Sequence, residues 1–293
     1  MSAHRFQKAY IEITGSCNLA CTFCIPSPRQ TVFLKSQDFS RILEQLKGLT
    51  PLVYFHVLGE PLLHPRWAEY LAEAGAQGFK VGITTNGSLL ESCTESLLTS
   101  PHLHRINLSL HSIQTEKHYQ TVLDFIQVVL AHRNDPESKL PFFPVSLRLW
   151  NLGSSTPSEG SEVQADSEFW LNRLLQDLNL SKVNSALSQR LTRGLTLHRA
   201  PAFVWPKLDG PWVGEHGFCM GLRDQVGILA NGTVVPCCLD GSGDLALGQL
   251  KGTATLEEIL AGSRAQSLYH GFSRRQVTQE LCRRCSYRLR FDS

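Results

Sequence analysis

Apolar positions follow two rhythms along the first two thirds of the chain. Short runs at 9–14 (AYIEIT), 52–57 (LVYFHV), 80–85 (KVGITT), 105–110 (RINLSL), 145–150 (VSLRLW) and 195–198 (LTLH) read as strands. Between them, 37–46, 66–76, 89–98, 120–130 and 168–178 place apolar residues at helical spacing. Strands alternating with helices predict a parallel sheet with helical crossovers, so the expected fold class is α/β. Such sheets collect their sites at the C-terminal ends of the strands. A cysteine-rich loop, Gly59-Glu60, Thr85-Asn86-Gly87 and Ser109-Leu110-His111-Ser112 all fall at such ends. Residues 153–166 (GSSTPSEGSEVQAD) have no hydrophobic period and predict a polar loop after the fifth strand.

The loop after the first strand carries Cys17, Cys21 and Cys24 in a CxxxCxxC spacing. Iron–sulfur cubanes are held by cysteine thiolates, usually four. Three thiolates leave one iron without a protein ligand, where a small molecule can bind and take an electron. Zinc prefers a closed tetrahedral set, and the nearest spare ligand, His4, lies well upstream. At 293 residues and 42% hydrophobic, the chain is long enough for one large α/β unit plus a smaller appendage. No apolar run approaches the roughly 18 residues of a membrane-spanning helix, and MSAHRFQKAY lacks the apolar core of a signal peptide. Nine cysteines without an export signal point to metal or redox work in a reducing, cytoplasmic setting rather than to disulfides. The net charge of +2 says little about partners.

The last eighty or so residues change character. Cys219 precedes two apolar runs joined by Asn231-Gly232, a hairpin signal that would carry Cys237 back towards Cys219. Leu247-Gly248-Gln249-Leu250, a short helix over 256–260 and Cys282-Arg283-Arg284-Cys285 follow. Four cysteines in this order suit a closed tetrahedral site, and zinc is one candidate occupant. The tail also concentrates Arg264, Arg274, Arg275, Arg283, Arg284, Arg288 and Arg290. This basic patch reads either as contact for a phosphorylated molecule or RNA, or as a solvated surface that offsets cluster charge.

The first cysteine set resembles that of the radical S-adenosylmethionine (radical SAM) superfamily. Phe23 before the last cysteine fits the family pattern, in which such a residue lies near the adenine. The segment 56–65 (HVLGEPLLHP) is similar to the family's GGEPLL, with Leu58 where a glycine is usual and Gly59 and Glu60 both present. The resemblance implies that backbone at this step binds the amino group of SAM. It also implies a partial (β/α)6 barrel. Thr85, Asn86, Ser109 and His111 would line the SAM site, and Arg148 would lie near the methionine carboxylate, each with an ordinary turn, strand-end or salt-bridge role as the alternative. The C-terminal pattern resembles SPASM and twitch auxiliary-cluster domains. It implies a second 4Fe–4S cluster on Cys219, Cys237, Cys282 and Cys285, with Cys238 as an alternative to Cys237 and Cys93 a packed thiol. The expected domains are a radical SAM core over 1–205 and an auxiliary domain over 206–293.

What the resemblance implies for activity is reductive cleavage of SAM to a 5′-deoxyadenosyl radical that abstracts hydrogen from a substrate, with the auxiliary cluster as electron acceptor. A net oxidation or side-chain modification of a peptide, protein or small molecule is expected. RNA modification is an alternative, as is a non-catalytic two-cluster carrier or scaffold. A flavodoxin- or ferredoxin-like reductant is implied as partner. No acid or base is assigned, and fold does not fix substrate.

Overall fold

The computed structural model describes residues 6–29, 31–152, 160–181, 183–201 and 204–291. The chain packs as two compact units, Met1–Val81 with Phe203–Ser293, and Gly82–Ala202.

In the first unit, β1 (Lys8–Ile11) leads to the cysteine loop, followed by α1 (Ser36–Leu46), β2 (Leu52–Phe55) and α2 (Trp67–Ala76). Buried Phe39, Ile42, Leu43 and Leu46 form the inner stripe of α1, and Trp67, Tyr70, Leu71 and Ala74 that of α2, both at i, i+3, i+4, i+7. Phe39 stacks on Tyr70 with ring centroids 4.1 Å apart. After β3 (Lys80–Thr85), whose residues 82–85 belong to the second unit, the chain returns to the first at β8 (Gln225–Ile228) and β9 (Thr233–Val235). These two strands form the expected hairpin, with Gly232 at φ +85° and Asn231 Oδ1 accepting from Thr233 N at 3.1 Å. Then come β10 (Gly248–Gln249), α6 (Leu256–Ala261), α7 (Ser263–Ser273) and α8 (Glu280–Arg283). The strand order is β10-β9-β8-β1-β2. β1 is parallel to β2 on one side and to β8 on the other, Lys8–Ile11 pairing with Gln225–Ile228. β1 and its continuation are therefore fully enclosed, and Ala9, Ile11 and Ile13 are buried.

The second unit contains α3 (Leu90–Thr99), β4 (Leu103–Ser109), α4 (Glu116–Asn134), β5 (Val145–Leu152), α5 (Gly160–Asp177), β6 (Ser188–Thr192) and β7 (Leu195–Pro201). Its order is β3-β4-β5-β7-β6; β5 is parallel to β4 and β7, and β6 is an antiparallel edge strand. Thr115 caps α4, its hydroxyl accepting from His118 N at 3.2 Å. The expected α/β alternation of parallel strands and helices is present.

One expectation needs correction. Residues 160–166, read as loop, are the opening of α5; 153–159 lie outside the described residues. Glu162, Gln164 and Ala165 are good helix formers, so a polar stretch extends the helix without any hydrophobic period. β6 and α7 were not anticipated. β6 carries only polar residues around Leu191, and α7 buries Ala265, Leu268, Gly271 and Phe272, too short a stripe to stand out.

Candidate cluster and cofactor sites

The N-terminal cysteine loop is built on the end of β1. Cys17 and Cys24 are exposed and Cys21 is half-buried. The Cys21 and Cys24 thiols are hydrogen-bonded. That bond lowers the Cys21 pKa and, with burial and the charges of Cys21 and Cys17, raises that of Cys24. All three thiols thus act on one another across a single turn closed by Cys24 N donating to Cys21 O at 3.1 Å. The loop is anchored at its base: Ser16 N donates to Thr14 Oγ1 at 3.0 Å, and Thr14 Oγ1 donates to Val32 O at 3.1 Å.

The Gly59-Glu60 step abuts this loop. Glu60 N donates to Ser16 O at 2.7 Å. Gly59 sits at φ +77°, and a Cβ there would overlap the Thr14 carbonyl oxygen. The Glu60 side chain turns back to cap the following short helix, accepting from Leu62 N at 3.1 Å. Leu58, the departure from the family pattern, fills a buried cluster with Val57, Leu229 and Val235. Ile25, Trp205 and Cys238 pack against the same cluster, so it touches the neighbours of Cys24 and of Cys237. His64 is buried, its Nδ1 accepting from Arg66 N and its Nε2 3.1 Å from Leu34 O, which makes it a packing residue.

A buried ion pair ties the loop to the C-terminal segment. Arg29, just past the cysteines, meets Glu12 with both carboxylate oxygens engaged, at 2.7 and 3.1 Å. Glu12 also accepts from Leu58 N and Ala230 N, each at 3.3 Å. Arg29 also donates to the Gly241 carbonyl. Trp205 Nε1 donates to Phe23 O at 3.0 Å within the loop itself. Neither the ion pair nor Trp205 was singled out from sequence.

Cys219, Cys237, Cys282 and Cys285 are all partly buried and come together from three separate segments. Burial pushes the Cys219 thiol up to about 11, with the charge of Cys285 adding to it. Cys237 and Cys282 are also raised well above the usual thiol value, by burial and then by neighbouring thiols; Cys237 feels Cys238, Cys219, Cys282 and Cys285. Arg288 is buried behind them, donating to the carbonyls of Cys282, Gly214 and His216 at 3.1, 2.8 and 2.6 Å. Its charge opposes the rise at Cys282 and Cys285. Among the described residues, no three His, Cys, Asp or Glu side chains close up as ligands of a single metal ion do.

Much of the arginine-rich tail is committed to structure. Arg284 pairs with Glu280 at 2.7 Å and bonds Gly210 O, Arg283 bonds Val277 O, and Arg264 bonds Ala246 O. Arg290 lies over the Tyr287 ring. Cys93 is buried on α3.

In the second unit, Thr85 Oγ1 accepts from Gly87 N at 3.0 Å and Asn86 Oδ1 from Ser88 N at 2.8 Å, so both side chains shape the turn. The Asn86 carbonyl meets Ser112 Oγ and His118 Nε2. His111 Nδ1 is 3.1 Å from Arg148 O, its ring stacks on Trp150, and burial holds it down at about 4. The register pairs Ser109 with Arg148 and Arg148 with His198. One row deeper it pairs Asn107 with Ser146 and Ser146 with Thr196. The opposite face carries buried Ile106, Leu108, Val145, Leu147, Leu195 and Leu197. Of the polar rows, only Ser109 and Arg148 were picked out from sequence. The period-two polar positions in otherwise apolar parallel strands are the signal that would have found Asn107, Ser146, Thr196 and His198.

The comparisons with known proteins cover both cysteine-bearing regions. The sequence model of the radical SAM superfamily matches residues 11–133, and that of the SPASM iron–sulfur cluster-binding domain matches 219–286. The chain is a radical SAM protein with a SPASM domain. Its cofactors are therefore a 4Fe–4S cluster that binds SAM and auxiliary iron–sulfur in the SPASM segment. A "tungsten-containing aldehyde ferredoxin oxidoreductase cofactor-modifying protein" of Pyrococcus furiosus is 29% identical over 167 residues, covering 54% of this chain and 44% of that protein. A GTP 3′,8-cyclase of Chlorobaculum tepidum is 37% identical over 111 residues, 36% of this chain and 33% of the cyclase. The chain thus spans under half the length of these curated relatives. Among solved structures, BtrN in complex with AdoMet and 2-DOIA superposes with a TM-score of 0.60 at 16% identity, covering 96% of this chain and 93% of BtrN. Streptococcus suis SuiB gives 0.51 at 15% identity over 90% of this chain and 65% of SuiB. At such identities the likeness is one of fold: a radical SAM partial barrel with an auxiliary domain. No helix among the described residues is long and apolar enough to cross a membrane.

Proposed function

We propose that this radical SAM protein is an enzyme that cleaves SAM reductively and uses the resulting radical to oxidise or otherwise modify a substrate, with an auxiliary 4Fe–4S cluster accepting an electron. The observation that carries this reading is the contrast between three thiols on one exposed loop and four drawn together from separate segments. The bound cluster and SAM supply the one-electron chemistry. Cys17, Cys21 and Cys24 would hold three irons and leave the fourth open. Gly59, at its positive φ, brings the Gly59-Glu60 backbone against the loop, where the amino acid end of SAM would bind, and the Glu60 carboxylate caps the short helix that follows. Phe23 would flank the adenine. In the second unit, Arg148 is assigned to a carboxylate, which a guanidinium binds well. Ser109, His111, Thr85 and Asn86 support that strand-end surface, the last two through the turn they shape.

Cys219, Cys237, Cys282 and Cys285 would ligate the auxiliary cluster completely. A fully ligated cluster suits electron transfer, and this favours a net oxidation. Cys237 is preferred to Cys238 because Cys238 packs into the apolar cluster. Residues 1–205 would serve as the radical SAM core and 206–293 as the auxiliary domain. A flavodoxin or ferredoxin would supply electrons from the cytoplasm. Of the substrates considered, peptide and small molecule both have a counterpart among similar proteins, SuiB having been solved with a precursor peptide and a relative being named a GTP 3′,8-cyclase. The test is 5′-deoxyadenosine formation. Anaerobically reconstituted, reduced protein should release it slowly from SAM alone, and Cys24→Ala should abolish it. Fully loaded protein that releases none would point instead to an electron carrier or scaffold.

A further inference from the structure

Two buried polar atoms on the sheet face of the second unit, Arg105 Nε and Asn107 Oδ1, have no hydrogen-bond partner among the described residues. Arg105, two residues before Asn107 on β4, shares the polar face, as do Arg148 and His198. The pKa of His198 is lowered by burial and then by the charges of Arg148 and Arg105, and the register sets Arg148 beside it. No ion pair is seen for Arg105 among the described residues, and its Nε is buried without a partner. Asn107 is fully buried; its Nδ2 donates to Thr84 Oγ1 at 3.1 Å, while its Oδ1 has no partner. Since a hydroxyl can give or take, turning the amide over would keep the Thr84 bond and leave the nitrogen unpartnered instead. Either way one buried end of the amide waits for a polar group. Unpaired buried polar atoms are costly, and a parallel strand would ordinarily fill these positions with apolar residues.

We propose that this face is the subsite for an oxyanion, a phosphate or carboxylate, carried by a small polar substrate. Arg105 and His198 meet the anion, and Asn107, flanked by Ser146 and Thr196, takes a neighbouring hydroxyl or amide of the same molecule. The proposal deepens the function above by naming the substrate class, and rests on that reading only for the claim that the bound molecule is what reacts. Five residues on three adjacent strands carry it, which is a rigid placement for recognition. An unmodified apolar peptide side chain would leave both Arg105 and the amide unpaired.

The experiment is equilibrium dialysis of the reconstituted holoprotein, saturated with SAM, against labelled pyrophosphate in one arm and labelled citrate in the other. Saturable binding of either probe is expected, and the arm that binds distinguishes phosphate from carboxylate. Arg105→Gln should weaken it at least about tenfold, as expected for losing a charged hydrogen bond. Asn107→Asp, which adds negative charge at nearly constant size, should weaken it as well. Arg105→Lys keeps the charge and His198→Gln replaces a half-buried ring by a polar side chain of similar reach, so these two give a reading if the first variants do not fold. Absence of saturable binding to the wild type overturns the proposal. So does equal affinity in Arg105→Gln and His198→Gln, or competition between probe and SAM, which would make this the SAM site itself. Formation of 5′-deoxyadenosine by the same wild-type preparation is read alongside. Its failure strikes the radical chemistry, whereas failure of probe binding strikes the subsite.

Discussion

The two cysteine sets solve different problems with the same side chain. Cys17, Cys21 and Cys24 lie within one loop whose shape is set by its own turn, and two of the three are exposed. The C-terminal four come from the approach to β8, the exit from β9 and the end of α8, and they stay half-buried around Arg288. A local motif can lose its metal and keep its neighbours in place. A site assembled from distant segments has only the metal and the fold to hold its thiolates together, so metal binding there becomes folding free energy. The N-terminal loop therefore reads as a place to do chemistry, and the C-terminal site as one that also holds structure.

The sharpest way to break this contrast is to remove each set. Wild type should carry about eight irons, two cubanes' worth. Cys282→Ala/Cys285→Ala should lose about half of that iron and, with it, several kcal/mol of stability. Cys17→Ala/Cys21→Ala/Cys24→Ala should lose a similar amount of iron with little change in the unfolding midpoint. Equal midpoints in the two variants would end the distinction, and one zinc with four irons in wild type would replace the auxiliary cluster by a structural zinc.

Next in size is the ion pair that connects the regions. Arg29→Ala strands the buried Glu12 carboxylate and should cost about 3–5 kcal/mol by denaturant unfolding, while Glu12→Leu/Arg29→Met should cost far less. A penalty below about 1 kcal/mol for Arg29→Ala would mean the loop holds itself. Gly59→Ala tests the local side alone. The positive φ accounts for about 1–3 kcal/mol, and displacement of the Thr14–Ser16 backbone should lower iron on the N-terminal loop but leave the C-terminal iron in place. Iron analysis of this variant in a Cys282→Ala/Cys285→Ala background isolates the N-terminal share.

The smallest effect provides a control from the second unit. His111 stays neutral down to about 4 because it is buried, whereas the unfolded chain takes up a proton near 6.5. The unfolded state then binds more protons in this window, so stability is full above about 6.5 and falls as the pH drops towards 4. The slope amounts to about 1–3 kcal/mol, and His111→Asn should flatten it. It should also be alike in both cysteine variants; a slope that follows the cysteines instead would assign the acid sensitivity to them.

What was legible in the sequence was what is local. The CxxxCxxC spacing, Gly59-Glu60, the Asn231-Gly232 hairpin and most strand and helix positions depend on neighbours within a few residues. Glu12 was not legible. Within AYIEIT it alternates with Ile11 and Ile13 and looks like the solvent side of a strand, and only the pairing of β1 between β2 and β8 turns that position into core. Trp205 could not be connected with Phe23 across 182 residues. Asn107, Thr196 and His198 were visible as polar residues in strands, but their alignment into rows needs the register. The start of α5 was missed for the opposite reason, since polarity was taken as loop where propensity alone extends a helix.

Glu12, Arg29 and Leu58 are made early in synthesis, while Ala230 and Gly241, which complete their network, follow some two hundred residues later. At a ribosomal pace of about 5–20 residues per second, that is a gap of roughly 10–40 s. During it the three N-terminal thiols lack their brace, so protease should cut the 12–29 stretch faster in a chain stopped at residue 205 than in the whole protein. The network thus sets an order of events: iron delivered to the first loop before the hairpin arrives meets an unfinished cradle.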